Sequence, residues 1–280
     1  MADLRAYIER LEKLASQPQA APHPAKPAAP AAPAPERIDF SKWGPIQKKP
    51  MSPLRQTISQ RLAQSWNTIP HVTQFDEADI TALNDLRKRF APAYKEKGAH
   101  LTVTAFILQA VAATLKKHPL FNASLDEATR ELVFKDYCHL GLAVDTDQGL
   151  IVPVIRNADQ KNLAQLSREI NELAEKARAR KVSREELQGG TFTISNQGGI
   201  GGAHFTPIIN KPEVAILGLG RGALKPVVKG DKIEPRLLLP LALSYDHRLI
   251  DGGSAARFIV DLVQALEQAD EESTGIGVME

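Results

Sequence analysis

Between Ser16 and Arg37 the chain reads SQPQAAPHPAKPAAPAAPAPER, a stretch holding seven of its 19 prolines. Proline fixes φ and has no backbone N–H, so this segment can enter neither a helix interior nor a sheet ladder. Its alanines offer little apolar surface to bury. Residues 16–37 are therefore expected to be a disordered, extended Ala/Pro linker in which His23 is inert. Folding is confined to what flanks it. In residues 1–15, Leu4, Ile8, Leu11 and Leu14 recur at spacings of four and three, which predicts a short amphipathic helix, marginal alone. Residues 38–280 carry the composition of a single globular domain. A tether of this kind implies that one side must swing relative to the other.

Within residues 38–280 the pattern alternates irregularly between helix and strand. Ser52 followed by Pro53 predicts the start of a helix that Pro70 ends. HVTQFDEADI alternates as a strand, and Asp79 is placed to cap the helix after it. LTVTAFILQAVAATLKKH is apolar almost all round, so it should be a central buried helix, stopped by Pro119. NASLDE, ELVFKD, HLGLAVDT, LIVPVIR, GGTFTISN, EVAILGLG and RLLLPLALSYD read as strands. NLAQLSREINELAEKARARK is an amphipathic surface helix, and GSAARFIVDLVQALEQ closes the chain. This predicts an α/β domain with a mixed sheet flanked by helices. The chain is 43% hydrophobic but only 5% aromatic, so the core must be mostly aliphatic.

Several function classes are disfavoured. A formal net charge of +2 gives no reason to invoke nucleic acid. The lone cysteine, Cys138, allows no intrachain disulfide and reads as a small buried apolar residue. No apolar run approaches the ~20 residues of a membrane span. The charged N-terminus is not a signal peptide. GLGRG at 218–222 follows a strand, but its third glycine falls one residue early for a dinucleotide loop. NQGGIGGAHF lacks the Lys-Ser/Thr of a P-loop and reads as backbone passing close to something. No G-x-S-x-G elbow occurs. The seven histidines are scattered, with no H-x-x-x-H, so no metal site is expected.

The sharpest cluster is LSYDHRLIDGG, where an apolar strand ends in Asp246-His247-Arg248, with Asp251-Gly252-Gly253 just beyond. A charged turn is the plain reading, and a base held by its neighbours is the other. The run before it is apolar enough to put His247 at the rigid end of a core strand. The glycines allow close approach by a ligand.

These residues carry a family resemblance. SYDHRLIDG resembles the D-H-R-x-x-D-G signature of the dihydrolipoamide acyltransferases, cores of the 2-oxo acid dehydrogenase complexes, and is similar to the H-x-x-x-D-G of chloramphenicol acetyltransferase. GGTFTISNQGGIGGAHFTPIINKPEVAILGLG and DTDQGLIVPVIRNAD resemble two further blocks of that family, in the same order. The resemblance spans about residues 38–268. It implies a chloramphenicol-acetyltransferase-like fold and transfer of an acyl group between dihydrolipoamide and coenzyme A, without a metal. His247 would be the general base, Ser195 the hydroxyl stabilising the tetrahedral oxyanion, and Asp251 an acid paired with an arginine among Arg55, Arg61 and Arg87. Those three arginines and Asn196 are the candidate contacts to coenzyme A. Asp246 and Arg248 would stabilise the loop. The segments IPHVTQFDEADITALNDLRK and PEVAILG look most like the acetyl-transferring branch of pyruvate dehydrogenase complexes. Succinyl or branched-chain transfer and a non-catalytic scaffold are the alternatives, besides an acyltransferase acting on a free small molecule. The first 15 residues resemble the last helix of a peripheral-subunit-binding domain. With no lipoyl hairpin present, the lipoyl group would ride on a domain outside this sequence, making this a fragment of a longer subunit. The resemblance further implies a homotrimer building a cage, with His247 and Ser195 meeting across a subunit interface. The implied partners are 2-oxo acid dehydrogenase and dihydrolipoamide dehydrogenase subunits. The implied location is a bacterial cytoplasm, or the mitochondrial matrix in a eukaryote.

Overall fold

The computed structural model describes residues 38–147 and 149–278. The helix expected over 1–15 and the linker over 16–37 lie outside those residues. The chain divides into two units at Pro50/Met51. In the first, a 3-10 turn runs over Phe40–Trp43 and is capped by Asp39, whose carboxylate accepts from the Ser41 N–H at 3.1 Å.

The second unit begins with helix α1 (Pro53–Thr68), started by Ser52, whose hydroxyl accepts the Arg55 N–H at 3.3 Å. There follow β1 (His71–Asp79), α2 (Thr81–Glu96) and α3 (Val103–Lys117). A small hairpin, β2 (Ser124–Asp126) with β3 (Glu131–Val133), precedes β4 (Leu140–Ala143) and β5 (Val154–Ile155). Then come α4 (Leu163–Arg178), β6 (Phe192–Asn196), β7 (Ala215–Leu219), β8 (Ala223–Lys229), β9 (Lys232–Asp246), α5 (Gly252–Glu267) and α6 (Glu271–Thr274).

The sheet order is β1-β9-β7-β6-β4-β5, with β8 folded back on the first half of β9. β4, β6 and β7 run parallel, while β1, β5 and β9 are antiparallel to their neighbours, so the sheet is mixed as expected. One face carries Ile194, Leu217, Leu219, Leu241 and Leu243 into an aliphatic core shared with α3, α4 and α5. α3 supplies Phe106, Ile107, Leu108, Val111 and Leu115, each at most 2% exposed. Burying each of them contributes roughly 1.5–3 kcal/mol. On the opposite face, Ser195, Gly218, Ala242 and Phe75 stand side by side, because the register pairs each with the next.

Four details differ from the sequence reading. Asp79 sits one residue before the helix cap, which is Ile80, although its carboxylate still accepts the Thr81 N–H at 3.1 Å. The strand expected over LIVPVIR shortens to Val154–Ile155, because Pro153 has no N–H to give the ladder and offers only its carbonyl to Leu142. α5 begins one residue earlier than expected, immediately after Asp251, which caps it. The one-turn helix α6 was not anticipated, being too short for a periodic signal.

Candidate active site

His247 lies one residue beyond β9, in the loop that ends at Asp251. Its side chain is exposed, but its backbone is not free. The His247 N–H donates to the Pro70 carbonyl at 3.0 Å, extending the β1–β9 ladder past its last register pair, His71 with Asp246. The imidazole stacks on the Tyr245 ring, with centroids 5.9 Å apart and planes at 30°. Burial, then the charge of Asp251, push the Tyr245 hydroxyl above its ordinary range.

An ion-pair chain brackets the histidine. Asp246, 1% exposed, accepts from Arg248 Nε at 3.0 Å and from Arg248 Nη2 at 2.6 Å. Arg248 Nη1 then donates to Glu127 at 3.0 Å, in the β2–β3 turn. The other Glu127 oxygen accepts from Lys211 at 2.8 Å. Hydrogen bonds from Lys211 and Arg248 hold the Glu127 carboxyl below its usual range. These bonds draw three separate segments around the two residues that flank His247.

Asp251 acts first as a helix cap. Its Oδ1 accepts the Ser254 N–H at 2.6 Å, and that bond is the main reason its carboxyl titrates below the usual range. The charges of Arg257 and His247 add to the effect. Within one copy Asp251 forms no ion pair with any of the three arginines named for it, and the guanidinium whose charge acts on it is that of Arg257. Arg55 and Arg61 lie on the exposed surface of α1, and Arg87 Nε donates to Asn84 at 3.1 Å.

Ser195 is the fourth residue of β6 and is 8% exposed. A strand serine commonly turns its hydroxyl onto nearby backbone. The Ser195 hydroxyl makes no hydrogen bond among the described residues, so it is available to a ligand. Beside it the loop 197–212 folds back over the sheet. Phe205 lies where a side chain at Gly218 would be, 2.7 Å from the position of such a Cβ. The Ala203 carbonyl passes 1.9 Å from the Cβ position of Gly220. Gly218 and Gly220 of GLGRG thus leave room for close packing of the folded-back loop. Asn196 ties this loop down: its Nδ2 donates to Thr104 at 3.0 Å and its Oδ1 accepts the Gly198 N–H at 2.8 Å. Each end of the Asn196 amide thus has one protein partner.

One copy does not bring Ser195 and His247 together. Ser195 is level with Gly218 and Ala242, five residues before His247 on β9 and two strands away. At ~3.3 Å per residue and ~4.8 Å per strand, the two residues are roughly 20 Å apart. Any site that uses both must be assembled from two copies.

Cys138 contributes no nucleophile, since burial pushes its thiol up to about 12. No group of three or more His, Cys, Asp or Glu side chains arranged for a metal occurs among the described residues. No described helix is long and apolar enough to cross a membrane. Sequence reasoning missed Pro70, Glu127 and Lys211, whose partners lie far away along the chain and leave no periodic or motif signal.

Residues 44–272 match the model of the 2-oxoacid dehydrogenases acyltransferase catalytic domain. The chain is 49% identical over 256 residues to the dihydrolipoyllysine-residue acetyltransferase component of the Azotobacter vinelandii pyruvate dehydrogenase complex, covering 91% of this chain and 40% of that protein. Its Pseudomonas aeruginosa counterpart is 48% identical over 229 residues, covering 82% of this chain and 42% of that protein. The chain thus spans about two fifths of the length of these curated relatives. A solved structure of A. vinelandii dihydrolipoamide acetyltransferase superposes with a TM-score of 0.82 at 48% identity, covering 85% of this chain and 98% of that one. That work concerned the roles of a serine, a histidine and an asparagine in the catalytic mechanism. The cubic core of the pyruvate dehydrogenase multienzyme complex matches with the same TM-score, 0.82, at 49% identity and the same coverage of both chains.

Proposed function

The chain belongs to the 2-oxoacid dehydrogenase acyltransferase family, and from that premise we propose that it transfers an acetyl group between dihydrolipoamide and coenzyme A at a site shared by two copies. One observation carries the residue assignment. The serine, histidine and asparagine studied in the A. vinelandii enzyme stand at the same intervals along their chain as Ser195, His247 and Asp251 do here. The match to a cubic core supports assembly of copies into a cage, and the ~20 Å separation within one chain supports a site at their junction.

The chemistry follows from the groups. A thioester carbonyl is already electrophilic, so the protein must supply a thiolate and a place for the oxyanion. A thiol has an ordinary pKa near 8.5, within reach of a neutral imidazole. His247 takes the proton from the coenzyme A thiol as its sulfur bonds to the acetyl carbon. The negative oxygen of the tetrahedral intermediate accepts a hydrogen bond from Ser195 of the neighbouring copy. The bond from carbon to the dihydrolipoyl sulfur then breaks, and His247 returns the proton to that sulfur. No covalent enzyme intermediate forms. The lipoyl group arrives on a separate domain, and 2-oxo acid dehydrogenase and dihydrolipoamide dehydrogenase subunits are the partners in the complex.

Acetyl is favoured over succinyl because the free carboxylate of a succinyl group wants a dedicated cation. Arg221 reaches the glycine loop near Ser195, but its Nη2 donates to the Ile200 carbonyl at 2.8 Å and its Nε to that of Gly198 at 3.3 Å. The test is transfer between acetyl-CoA or succinyl-CoA and free dihydrolipoamide. Acetyl should react faster, and His247→Ala should lower the rate by about 10²–10⁴. Faster succinyl transfer would overturn the acyl assignment, and near-normal activity in His247→Ala would overturn the mechanism.

A further inference from the structure

A second histidine stands behind the first. His71 opens β1, directly after Pro70, whose carbonyl holds the His247 N–H. Its Nδ1 lies 2.8 Å from the Ile69 carbonyl oxygen, two residues back. Its Nε2 lies 3.1 Å from the Ile209 backbone nitrogen, 138 residues away in the loop that precedes β7. A carbonyl only accepts and an amide N–H only donates. The two bonds therefore fix one tautomer, with the proton on Nδ1 and the lone pair of Nε2 turned to Ile209. The ring is also covered by Trp66 of α1, with centroids 5.4 Å apart. Across the ladder it faces Asp246, whose carboxylate is taken by Arg248. Beneath it Ile69, Ile209 and Ile216 form a small core of their own.

We infer that His71 is a positioning residue for acetyl transfer: its imidazole clamps the Ile69–Pro70 turn to the loop at Ile209, and so sets the carbonyl on which the backbone of His247 rests. This rests on the reading of His247 as the base. Pro70 has no N–H of its own to anchor it, so its carbonyl is placed by its neighbours. Ile69 is tied to the ring through its oxygen, and the ring is tied to a second segment. No other side chain type supplies a donor and an acceptor on opposite sides of one rigid ring. A base displaced by about 1 Å can lose about 10²-fold in rate without any change in the groups that bind substrate.

The test compares wild type, His71→Phe, His71→Gln and His71→Asn as full-length assembled protein, with His247→Ala as control. Phenylalanine keeps a ring against Trp66 and deletes both bonds. Glutamine offers an oxygen to Ile209, and asparagine offers an N–H to Ile69. With acetyl-CoA and dihydrolipoamide, kcat in His71→Phe should fall by about 10–100-fold, with KM for acetyl-CoA within about twofold. One or both amide variants should recover part of the loss. A kcat within twofold of wild type in correctly assembled His71→Phe would overturn the proposal, and so would a fall in activity matched by an equal rise in KM. Backbone amide exchange at His247 and Ile209 gives a second readout that needs no turnover. Both amides should exchange at least tenfold faster in His71→Phe and partly recover in the amide variants. Unchanged exchange at His247 would refute the clamp even if wild type proved unable to transfer acetyl, an outcome that would separately refute the proposed reaction.

Discussion

Glu213 shows what one residue can do to the pH response of this fold. It sits just ahead of β7 and is 3% exposed, and burial raises its carboxyl to about 7. The nearby Thr193 hydroxyl, Asn210 and Lys135 pull the other way without cancelling the effect. A carboxyl raised on folding binds its proton more tightly in the folded state. Its stability contribution is therefore fully present below the unfolded value of 4.5, and it is lost as pH rises from there through about 7. Melting temperature should decline between about pH 5 and pH 8. Glu213→Gln should flatten that decline and stabilise the protein at pH 8 by on the order of 3 kcal/mol. An unaltered slope in the variant would show that another group sets it. At Asp251 the cap geometry predicts a division between two substitutions. Asp251→Asn keeps an oxygen for the Ser254 N–H and should melt near wild type, whereas Asp251→Ala should melt lower. Equal melting temperatures would show that the cap bond is not what Asp251 contributes. The sequence marked His247 and Asp251 through one compact motif, and Ser195 only through the family resemblance. It did not mark His71, Glu127 or Glu213, whose importance comes from partners that only the fold brings near.

The elements divide into those whose own residues specify them and those that depend on distant support. α3 carries apolar side chains on nearly every face, and β9 holds an unbroken apolar run from Leu237 to Leu243, so both are legible from sequence alone. The β2–β3 hairpin is different, being six paired residues with an exposed second strand. Its Glu127 is nonetheless held by both Arg248 and Lys211. The ranking of bonds makes a prediction. Glu127→Gln leaves the Asp246–Arg248 pair intact and should keep kcat within about threefold. Asp246→Asn removes the buried anchor of the loop and should cost far more in both melting temperature and kcat. Similar losses in the two variants would mean that the hairpin, and not the buried pair, sets the loop. In the core, Leu108→Ala should destabilise the fold by about 2–5 kcal/mol, because the Leu108 side chain is 0% exposed and belongs to the main aliphatic core. A loss under 1 kcal/mol by chemical denaturation would contradict that packing.

For the whole molecule, the decisive fact is the register that separates Ser195 from His247 by roughly 20 Å in one copy. The alternation of strands predicted a mixed α/β sheet, but no local pattern reveals which ends of which strands face a neighbour. That information lies in strand order and pairing, which composition and periodicity do not encode. A shared site makes each copy incomplete, and incompleteness can be measured. The direct test is to co-express Ser195→Ala and His247→Ala chains with different tags and to purify assemblies containing both. Each variant alone should be nearly inactive. If His247 of one copy works with Ser195 of another, random mixing in equal amounts restores both residues at roughly a quarter of the junctions. Mixed assemblies should then show about a quarter of wild-type kcat with a normal KM for acetyl-CoA. Mixed assemblies no more active than the separate variants would contradict the shared site.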